Sequence, residues 1–281
     1  MASDRTTTPR NRIPLEHARS WLLTAATSTE QFTIAHHCTS DAVIYDLEDG
    51  ILPDLRGGAR HALRSWLSPT HRGWVRINPA GSPDWRDDLD ALRNQPGVEG
   101  VVLAKCESAQ HIEETATRLP ASTPIIALIE SALGIERGFD IASTPHTQRL
   151  AFGIGDFRLD TATSTEPAAL AYARGRMVVA SRAAGIAGPI DGPTVSKHDN
   201  QLEIDLGVTR SMGFTGKLCM RPEDTARVNT ALSPTNDDVQ WAGDTIDRLG
   251  IDGHNIRHGS DRPALARAHR IHQIATVFSN L

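Results

Sequence analysis

Eight short apolar runs recur along most of this chain, and helical patterns separate most of them. Each run is rich in Val, Ile, Leu or Ala and is bounded by Gly, Pro or polar residues. Continuous apolar runs without alternation are typical of strands buried on both faces of a parallel sheet. The runs are Trp21–Ala25, Ala42–Asp46, Trp74–Ile77, Val101–Ala104, Pro124–Ile129, Leu150–Ile154, Ile186–Ile190 and Phe214–Met220.

Capping signals mark several of the intervening helices. Thr27-Ser28-Thr29-Glu30 has capping-box spacing, and Ser108 can cap the helix after the fourth run. Glu166-Pro167 opens a long Ala-rich helix. Eight runs alternating with helices predict an α/β fold, namely a closed (β/α)8 TIM barrel. An open doubly wound sheet is the alternative, but it usually carries a glycine fingerprint that Ala25-Ala26-Thr27-Ser28 lacks.

The composition changes after Leu232. Ser233-Pro234-Thr235-Asn236 breaks the pattern, a polar helix follows, and a final helix runs over Pro263–Phe278. We therefore predict a catalytic barrel over residues 17–232. Residues 233–281 are predicted to be a C-terminal helical extension that acts as a lid, an oligomer contact or both, and residues 1–16 a disordered tail.

The overall composition narrows the class of protein. A length of 281 residues suits one large barrel, and a formal charge of −5 argues against nucleic-acid or membrane-surface partners. No apolar run approaches the roughly 20 residues that span a bilayer, and the start lacks a signal peptide. The three isolated cysteines suit a reducing compartment. We expect a cytoplasmic protein that acts on small molecules.

Charged residues stand at the ends of five consecutive runs. In barrels of this kind the active site forms at the carboxyl ends of the strands. Several carboxylates at one mouth repel one another, so a divalent cation is expected there. Oxygen ligands without Cys or His clusters select Mg2+, or Mn2+. The strand ends are Asp46-Leu47-Glu48-Asp49, Arg76-Ile77-Asn78, Lys105, Glu130 and Gly153-Ile154-Gly155-Asp156.

Glu130 and Asp156 are the predicted metal ligands, because each stands alone at its strand end. Mg2+ typically uses only one or two protein carboxylates and leaves positions for water and substrate. Other roles stay open for each residue alone. Glu130 could cap the next helix, and Asp156 could be a turn residue after Gly-x-Gly.

The other charged residues at this mouth are predicted to assist catalysis or to contact substrate. Glu48 and Asp49 would orient metal-bound water and Arg76. Arg76 could also be a structural partner of Asp46 or Asp49, and Lys105 could do no more than balance the acidic mouth. The predicted substrate contacts here are Asp46, Arg76, Lys105 and Gly155.

Six motifs at these positions follow one another in order: Asp46-Leu47-Glu48-Asp49-Gly50, Val75-Arg76-Ile77-Asn78-Pro79, Val102-Leu103-Ala104-Lys105-Cys106-Glu107-Ser108, Ile129-Glu130-Ser131, Phe152-Gly153-Ile154-Gly155-Asp156 and Gly213-Phe214-Thr215-Gly216-Lys217-Leu218-Cys219. This ordered set resembles the HpcH/HpaI aldolase and citrate lyase family, in the branch similar to the citrate lyase β-subunit. The resemblance extends from about Arg19 to the last helix, and the ordered set is highly specific.

The resemblance implies a modified TIM barrel, often trimeric, that uses Mg2+ to cleave or form β-hydroxyacyl-CoA thioesters of the malyl-, citramalyl- or citryl-CoA type. It implies Glu130 and Asp156 as metal ligands and Arg76 as a contact to a substrate oxygen. It places Arg56 where a basic residue meets the CoA phosphates. Asp261 resembles the lid aspartate that acts as acid or base, in its own or a neighbouring subunit. We therefore expect a homotrimeric carbon–carbon lyase or aldolase.

Two segments depart from the family pattern. The family usually has Pro-Gly-x-Arg after the first strand, where this chain has Leu22–Ser28 without that Arg. The lid usually carries Gly-x-Met before its Asp-x-Pro, where this chain has Ile256–Ser260. Both segments lie in the region that would hold a CoA ester. An aldolase for free 2-oxo or 2-hydroxy acids, a CoA thioesterase and a non-catalytic binding subunit therefore stay open.

Overall fold

The computed structural model describes residues 13–196, 198 and 200–279, and within them eight parallel strands close into a barrel. The strands are hydrogen-bonded in chain order, and the last pairs with the first through Ser20 opposite Lys217. The predicted α/β fold, a (β/α)8 barrel, is confirmed. The strands are β1 Ser20–Ala25, β2 Ala42–Asp46, β3 Gly73–Ile77, β4 Val98–Leu103, β5 Ile125–Ile129, β6 Thr147–Phe152, β7 Ile190–Asp191 and β8 Gly216–Cys219.

Helices connect successive strands, and serine side chains cap several of them. Ser28, Ser82, Ser108 and Ser131 each accept a hydrogen bond from the backbone N–H three residues on, which satisfies an otherwise unpaired donor. The helices of the barrel are α1 Thr29–His37, α2 Arg56–Trp66, α3 Pro83–Leu92, α4 Ala109–Ala116, α5 Ala132–Glu136, α6 Gly138–Ser143, α7 Ile154–Thr161, α8 Ala171–Ala184, α9 Gln201–Ser211 and α10 Asp224–Ala231.

The amino-terminal end of the barrel is filled by large side chains. Arg149 is fully buried and donates to the carbonyl oxygens of Ala18 and Gly188, which precede β1 and β7. Its guanidinium lies 5.6 Å from the ring centre of Trp21, and Trp21 packs edge-on against Trp74. The interior is therefore packed at this end, which leaves the carboxyl end as the place where a site would form.

The seventh strand is shorter than the sequence predicted. The apolar run Ile186–Ile190 contributes only its last residue to β7. Gly185 ends α8 in the left-handed region at φ 73°, and Pro189 has no N–H to donate to a neighbouring strand. The Ala-rich helix likewise begins at Ala171 rather than at Pro167, because residues 167–170 form turns.

The chain divides into two compact units, of which one is Ala18–Leu232 and the other contains Ser233–Leu281. The second unit holds α11 Asn236–Leu249, which begins with a capping box at Thr235, and α12 Asp261–Ser279. Arg267 of α12 lies over the Trp241 ring of α11, 4.7 Å from its centre.

The predicted tail, residues 1–16, lies mostly outside the described residues, and Leu15–His17 form a short 3-10 helix. The helices that the structure describes include none long and apolar enough to cross a membrane.

Candidate functional site

Strand alternation directs a group of charged side chains into the carboxyl end of the barrel. Tyr45 and Ile129 belong to the hydrophobic core between sheet and helices. Because successive strand residues face opposite sides, Asp46 and the residue after Ile129, Glu130, face the lumen. Arg76 of β3 joins them through its contacts with Asp46.

Arg76 is held by two carboxylates. Its Nε and Nη2 donate to the two oxygens of Asp46 at 2.7 and 2.6 Å, which is the bidentate geometry of a strong pair. Its Nη1 lies 3.2 Å from Glu48 Oε2. Burial alone would lower the pKa of Arg76, but the hydrogen bonds and charges of Asp46 and Glu48 raise it well above its usual value. Arg76 is therefore a fixed cation at the mouth.

Asp46 also organises the loop after β2. Its Oδ1 accepts from Glu48 N and its Oδ2 from Gly50 N, both at 2.9 Å. A Cβ at position 50 would collide with Asp46 Oδ2, so this turn requires glycine. Together with the two hydrogen bonds from Arg76, these bonds use all four lone pairs of the Asp46 carboxylate. Asp46 thus supports Arg76 and the loop, and its predicted contact with substrate stays a prediction.

Lys105 lies at the centre of the acidic cluster. Its backbone N–H donates to Glu130 Oε1 at 2.7 Å. Its Nζ lies 3.0 Å from Glu48 Oε1, 3.2 Å from Asp49 Oδ2 and 3.0 Å from Asp156 Oδ2. Burial would lower the pKa of Lys105, but hydrogen bonds to Glu48 and Asp156 raise it well above its ordinary value. The ammonium therefore links three of the predicted site residues.

Glu130 is buried beside this ammonium, with 6% of its surface exposed. Burial and the charges of Glu48 and Asp156 raise the pKa of Glu130 to about 8, against the lowering effect of the Lys105 N–H. A Cβ on Gly153 would collide with Glu130 Oε2, so the residue at 153 must be glycine for β6 to approach. Ser131, not Glu130, caps α5. The capping role left open for Glu130 is therefore excluded.

Asp156 and Gly155 lie in the first turn of α7, a helix that begins directly after Gly153. The Asp156 side chain is 35% exposed, and its Oδ2 contacts Lys105. Gly155 is exposed and has open space where a side chain would stand. Its position and its contact with Lys105 place Asp156 in the cluster, where its negative charge raises the pKa of Glu130.

Arg56 is engaged outside this cluster. Its Nη1 donates to Asp84 Oδ2 at 2.5 Å, and its Nε is buried without a hydrogen bond to any of the described residues. Arg60, one turn on, pairs with both Asp84 and Asp88. This ladder between α2 and α3 was not predicted; the only signal for it in the sequence is that the two arginines and the two aspartates each have i, i+4 spacing, which puts each pair on one face of its helix.

Asp261 belongs to the C-terminal unit and begins α12. Its Oδ2 accepts from the backbone N–H groups of Arg257 and His258 at 3.0 and 2.9 Å, and these bonds lower its pKa. Its Oδ1 lies 3.7 Å from Arg248 Nη1. The carboxylate thus orders the loop that leads into α12.

The cluster suits a hard divalent cation. Its acceptors are carboxylate oxygens, and Glu48 Oε2 is buried without a good hydrogen bond in the described part of the chain. Asp156 is close enough to Glu130 for its charge to raise the pKa of Glu130. The described residues contain no cage of three or more Asp, Glu, His or Cys side chains. A site of two carboxylates completed by water and substrate is typical of Mg2+.

Comparison with known proteins identifies the family of this chain. The pattern of the HpcH/HpaI aldolase/citrate lyase family matches residues 19–222. The chain belongs to this family. Residues 237–279 match the HpcH/HpaI aldolase C-terminal domain, and the resemblance predicted from the six motifs is thereby confirmed.

Two curated relatives and one solved structure are similar to this chain over most of its length. A citrate lyase subunit beta-like protein of Deinococcus radiodurans is 28% identical over 249 residues, 81% of this chain and 87% of its own. A (3S)-malyl-CoA thioesterase of Cereibacter sphaeroides is 28% identical over 219 residues, 75% of this chain and 76% of its own. The crystal structure of CitE from Mycobacterium tuberculosis with magnesium, acetoacetate and coenzyme A superposes with a TM-score of 0.79 and 27% sequence identity. The match covers 93% of this chain and 100% of the CitE chain.

Proposed function

We propose that this chain is a Mg2+-dependent carbon–carbon lyase or aldolase that cleaves or forms a β-hydroxyacyl-CoA thioester of the malyl-, citramalyl- or citryl-CoA type. The observation that carries the proposal is the convergence of Glu130, Asp156 and Arg76 around Lys105 at the carboxyl end of the barrel. Family membership and a CitE structure that holds magnesium and coenzyme A support it.

Glu130 and Asp156 would hold the cation. When bound, Mg2+ supplies a Lewis acid that favours loss of a proton from a substrate hydroxyl next to a carboxylate. In cleavage the carbon–carbon bond then breaks, an oxo acid forms, and the electron pair moves to the α-carbon of the acyl-CoA fragment. A proton must be delivered to that carbon, which balances the one lost from the hydroxyl, and in synthesis both transfers are reversed.

Arg76 would stabilise the negative charge that develops during this step. Its guanidinium is fixed by Asp46, so no reorganisation is needed when the charge appears. One such preorganised donor is worth about 3 kcal/mol of transition-state stabilisation. Glu48 and Asp49 would orient water near the cation, and Gly155 would offer backbone at the edge of the substrate.

Asp261 is the proposed acid or base at the α-carbon. The hydrogen bonds from Arg257 and His258 lower the pKa of Asp261 and so favour its ionised form, the form that a base in the direction of synthesis requires, although they also make it a weaker base. We propose further that the protein is a cytoplasmic homo-oligomer, with a trimer favoured. Its C-terminal unit would serve as a lid or a subunit contact.

Two neighbouring activities have their own support. A CoA thioesterase is favoured by the (3S)-malyl-CoA thioesterase relative. An aldolase for free 2-oxo acids is favoured by the Arg56–Asp84 ion pair, which engages the residue predicted to meet CoA phosphates. It is favoured also by Leu22–Ser28, which lack the substrate-binding arginine of the family.

One panel of assays separates these activities. Malyl-CoA, citramalyl-CoA, citryl-CoA and a free 4-hydroxy-2-oxo acid are incubated with and without Mg2+, and oxo acid and free thiol are measured separately. A lyase releases glyoxylate or pyruvate (oxaloacetate from citryl-CoA) without free thiol, whereas a thioesterase releases thiol without oxo acid. Turnover that is independent of Mg2+, or no turnover of any member, would contradict the proposal.

A further inference from the structure

Lys105 has a backbone conformation that side-chain-bearing residues rarely adopt. Its φ is 49°, in the left-handed region. Such conformations persist where surrounding contacts enforce them, and they concentrate at functional sites. Here the contact is the hydrogen bond from Lys105 N to Glu130 Oε1 at 2.7 Å. The bent backbone therefore directs one donor of Lys105 at the first proposed ligand.

The ammonium of the same residue contacts the second proposed ligand. Nζ lies 3.0 Å from Asp156 Oδ2 and 3.0 Å from Glu48 Oε1. Lys105 thus connects Glu130, through its backbone, to Asp156, through its side chain. Since Asp156 Oδ2 lies next to the ammonium, a divalent cation at that oxygen and the ammonium would compete for the same place.

The charges around Lys105 make it the principal counter-ion of this oxygen. Arg76, the neighbouring cation, is already bonded to Asp46 and Glu48. The Lys105 side chain is 40% exposed and also reaches Asp49, whose side chain is 55% exposed. It therefore has an alternative acceptor toward solvent and room to move away from Asp156.

We propose that Lys105 is an internal counter-ion of the metal site. Its ammonium holds Asp156 beside Glu130 until Mg2+ takes its place, and it then turns outward to Asp49 or to an anionic group of the substrate. The inference rests on the proposed function, because it takes Glu130 and Asp156 as the metal ligands. It predicts that the cation and the lysine oppose each other, while the cation and an anionic substrate support each other.

The test is calorimetric titration of Mg2+ into the full chain after removal of divalent ions with EDTA. Lys105→Met removes the competing charge and should lower the Kd for Mg2+ at least fivefold. Lys105→Arg keeps a cation and should bind Mg2+ like the wild type, within about twofold. Lys105→Asn, a neutral residue that tolerates a positive φ, should change the Kd in the same direction as Met and serves if the Met variant fails to fold.

A second readout is the melting temperature in EDTA, where Lys105→Met should melt below the wild type and regain the difference when Mg2+ is added. An unchanged or higher Kd in both neutral variants would overturn the counter-ion role while leaving the metal site intact. If the wild type itself binds no Mg2+, the metal site fails, and the counter-ion role with it. Glu130→Gln tests the metal site separately from the counter-ion role, since it should lose Mg2+ binding while Lys105 is unchanged.

Discussion

Arg76 and Asp46 face each other as two parallel pairs of atoms, Nε with Oδ1 at 2.7 Å and Nη2 with Oδ2 at 2.6 Å. Both side chains are almost fully covered. Removing one partner of such a buried pair leaves the other charge uncompensated. The orientation of the proposed charge-stabilising group therefore depends on a residue one strand away.

Asp46→Asn should accordingly lower both stability and turnover. We expect the free energy of unfolding to fall by about 3 kcal/mol and kcat to fall by about a hundredfold, because Arg76 loses its fixed direction. Urea denaturation and steady-state kinetics measure the two effects. Asp49→Asn is the matched control for stability, since that side chain is 55% exposed and should change the free energy by less than about 0.5 kcal/mol. A stable Asp46→Asn variant would show that the pair does not hold Arg76.

Glu130→Gln should abolish Mg2+-dependent turnover without unfolding the barrel. The amide oxygen can still accept the N–H of Lys105, but a neutral group is a poor ligand for Mg2+. Calorimetry should show no Mg2+ binding, and the circular dichroism spectrum should match the wild type. Glu113→Gln, an exposed residue of α4, is the control and should behave normally. Full activity of Glu130→Gln would remove Glu130 as a ligand.

Gly153→Ala tests the close approach between β6 and Glu130. The added Cβ would collide with the Glu130 carboxylate and displace it. Overpacking of this kind costs about 1–3 kcal/mol, and we expect at least tenfold weaker Mg2+ binding. Gly207→Ala in α9, where a Cβ meets open space, should slightly raise the melting temperature and leave Mg2+ binding unchanged. Equal Mg2+ affinity in both variants would contradict the collision.

Arg56→Glu tests whether a CoA phosphate reaches the α2–α3 ladder. If Arg56 exchanges Asp84 for a phosphate, the KM for a CoA thioester should rise at least tenfold, in line with the loss of about 1.5–3 kcal/mol for a charge-assisted bond. The KM for a free acid should change less than twofold. Arg64→Glu, an exposed residue on the same helix, is the control. Equal effects of Arg56→Glu on both substrates would show that Arg56 does not contact CoA.

The cysteines provide a test of the core that is independent of catalysis. Burial raises the pKa of Cys106 and of Cys219 to about 12 each. At pH 8 about one in ten thousand of these thiols would be ionised, and the thiolate is the reactive form. A thiol reagent at pH 8 should therefore modify at most Cys38 rapidly in the native protein. Raising the pH from 7 to 9 should not make either of the other two cysteines react rapidly. In denaturant all three cysteines should react. Two or more fast native thiols would contradict the buried positions.

Much of the fold and part of the site could be predicted because they depend on periodicity. Parallel strands place their carboxyl ends at one edge, so residues such as Arg76 and Glu130, each at a strand end, had to meet there. The position of the Lys105 side chain could not be predicted, since the left-handed backbone of Lys105 depends on the loop after β4 and on one hydrogen bond to Glu130. The pairing of Arg56 with Asp84 could not be predicted either, because it depends on how α2 packs against α3.

Arg149 and Trp21 plug the amino-terminal end of the barrel, and this has a consequence for the order of events during turnover. Nothing can travel through the barrel, so both fragments of a cleaved substrate must depart by the opening through which it arrived. A fragment that lingers would block the next molecule. The fragment that leaves last should therefore inhibit competitively against the substrate, because both bind the same empty site.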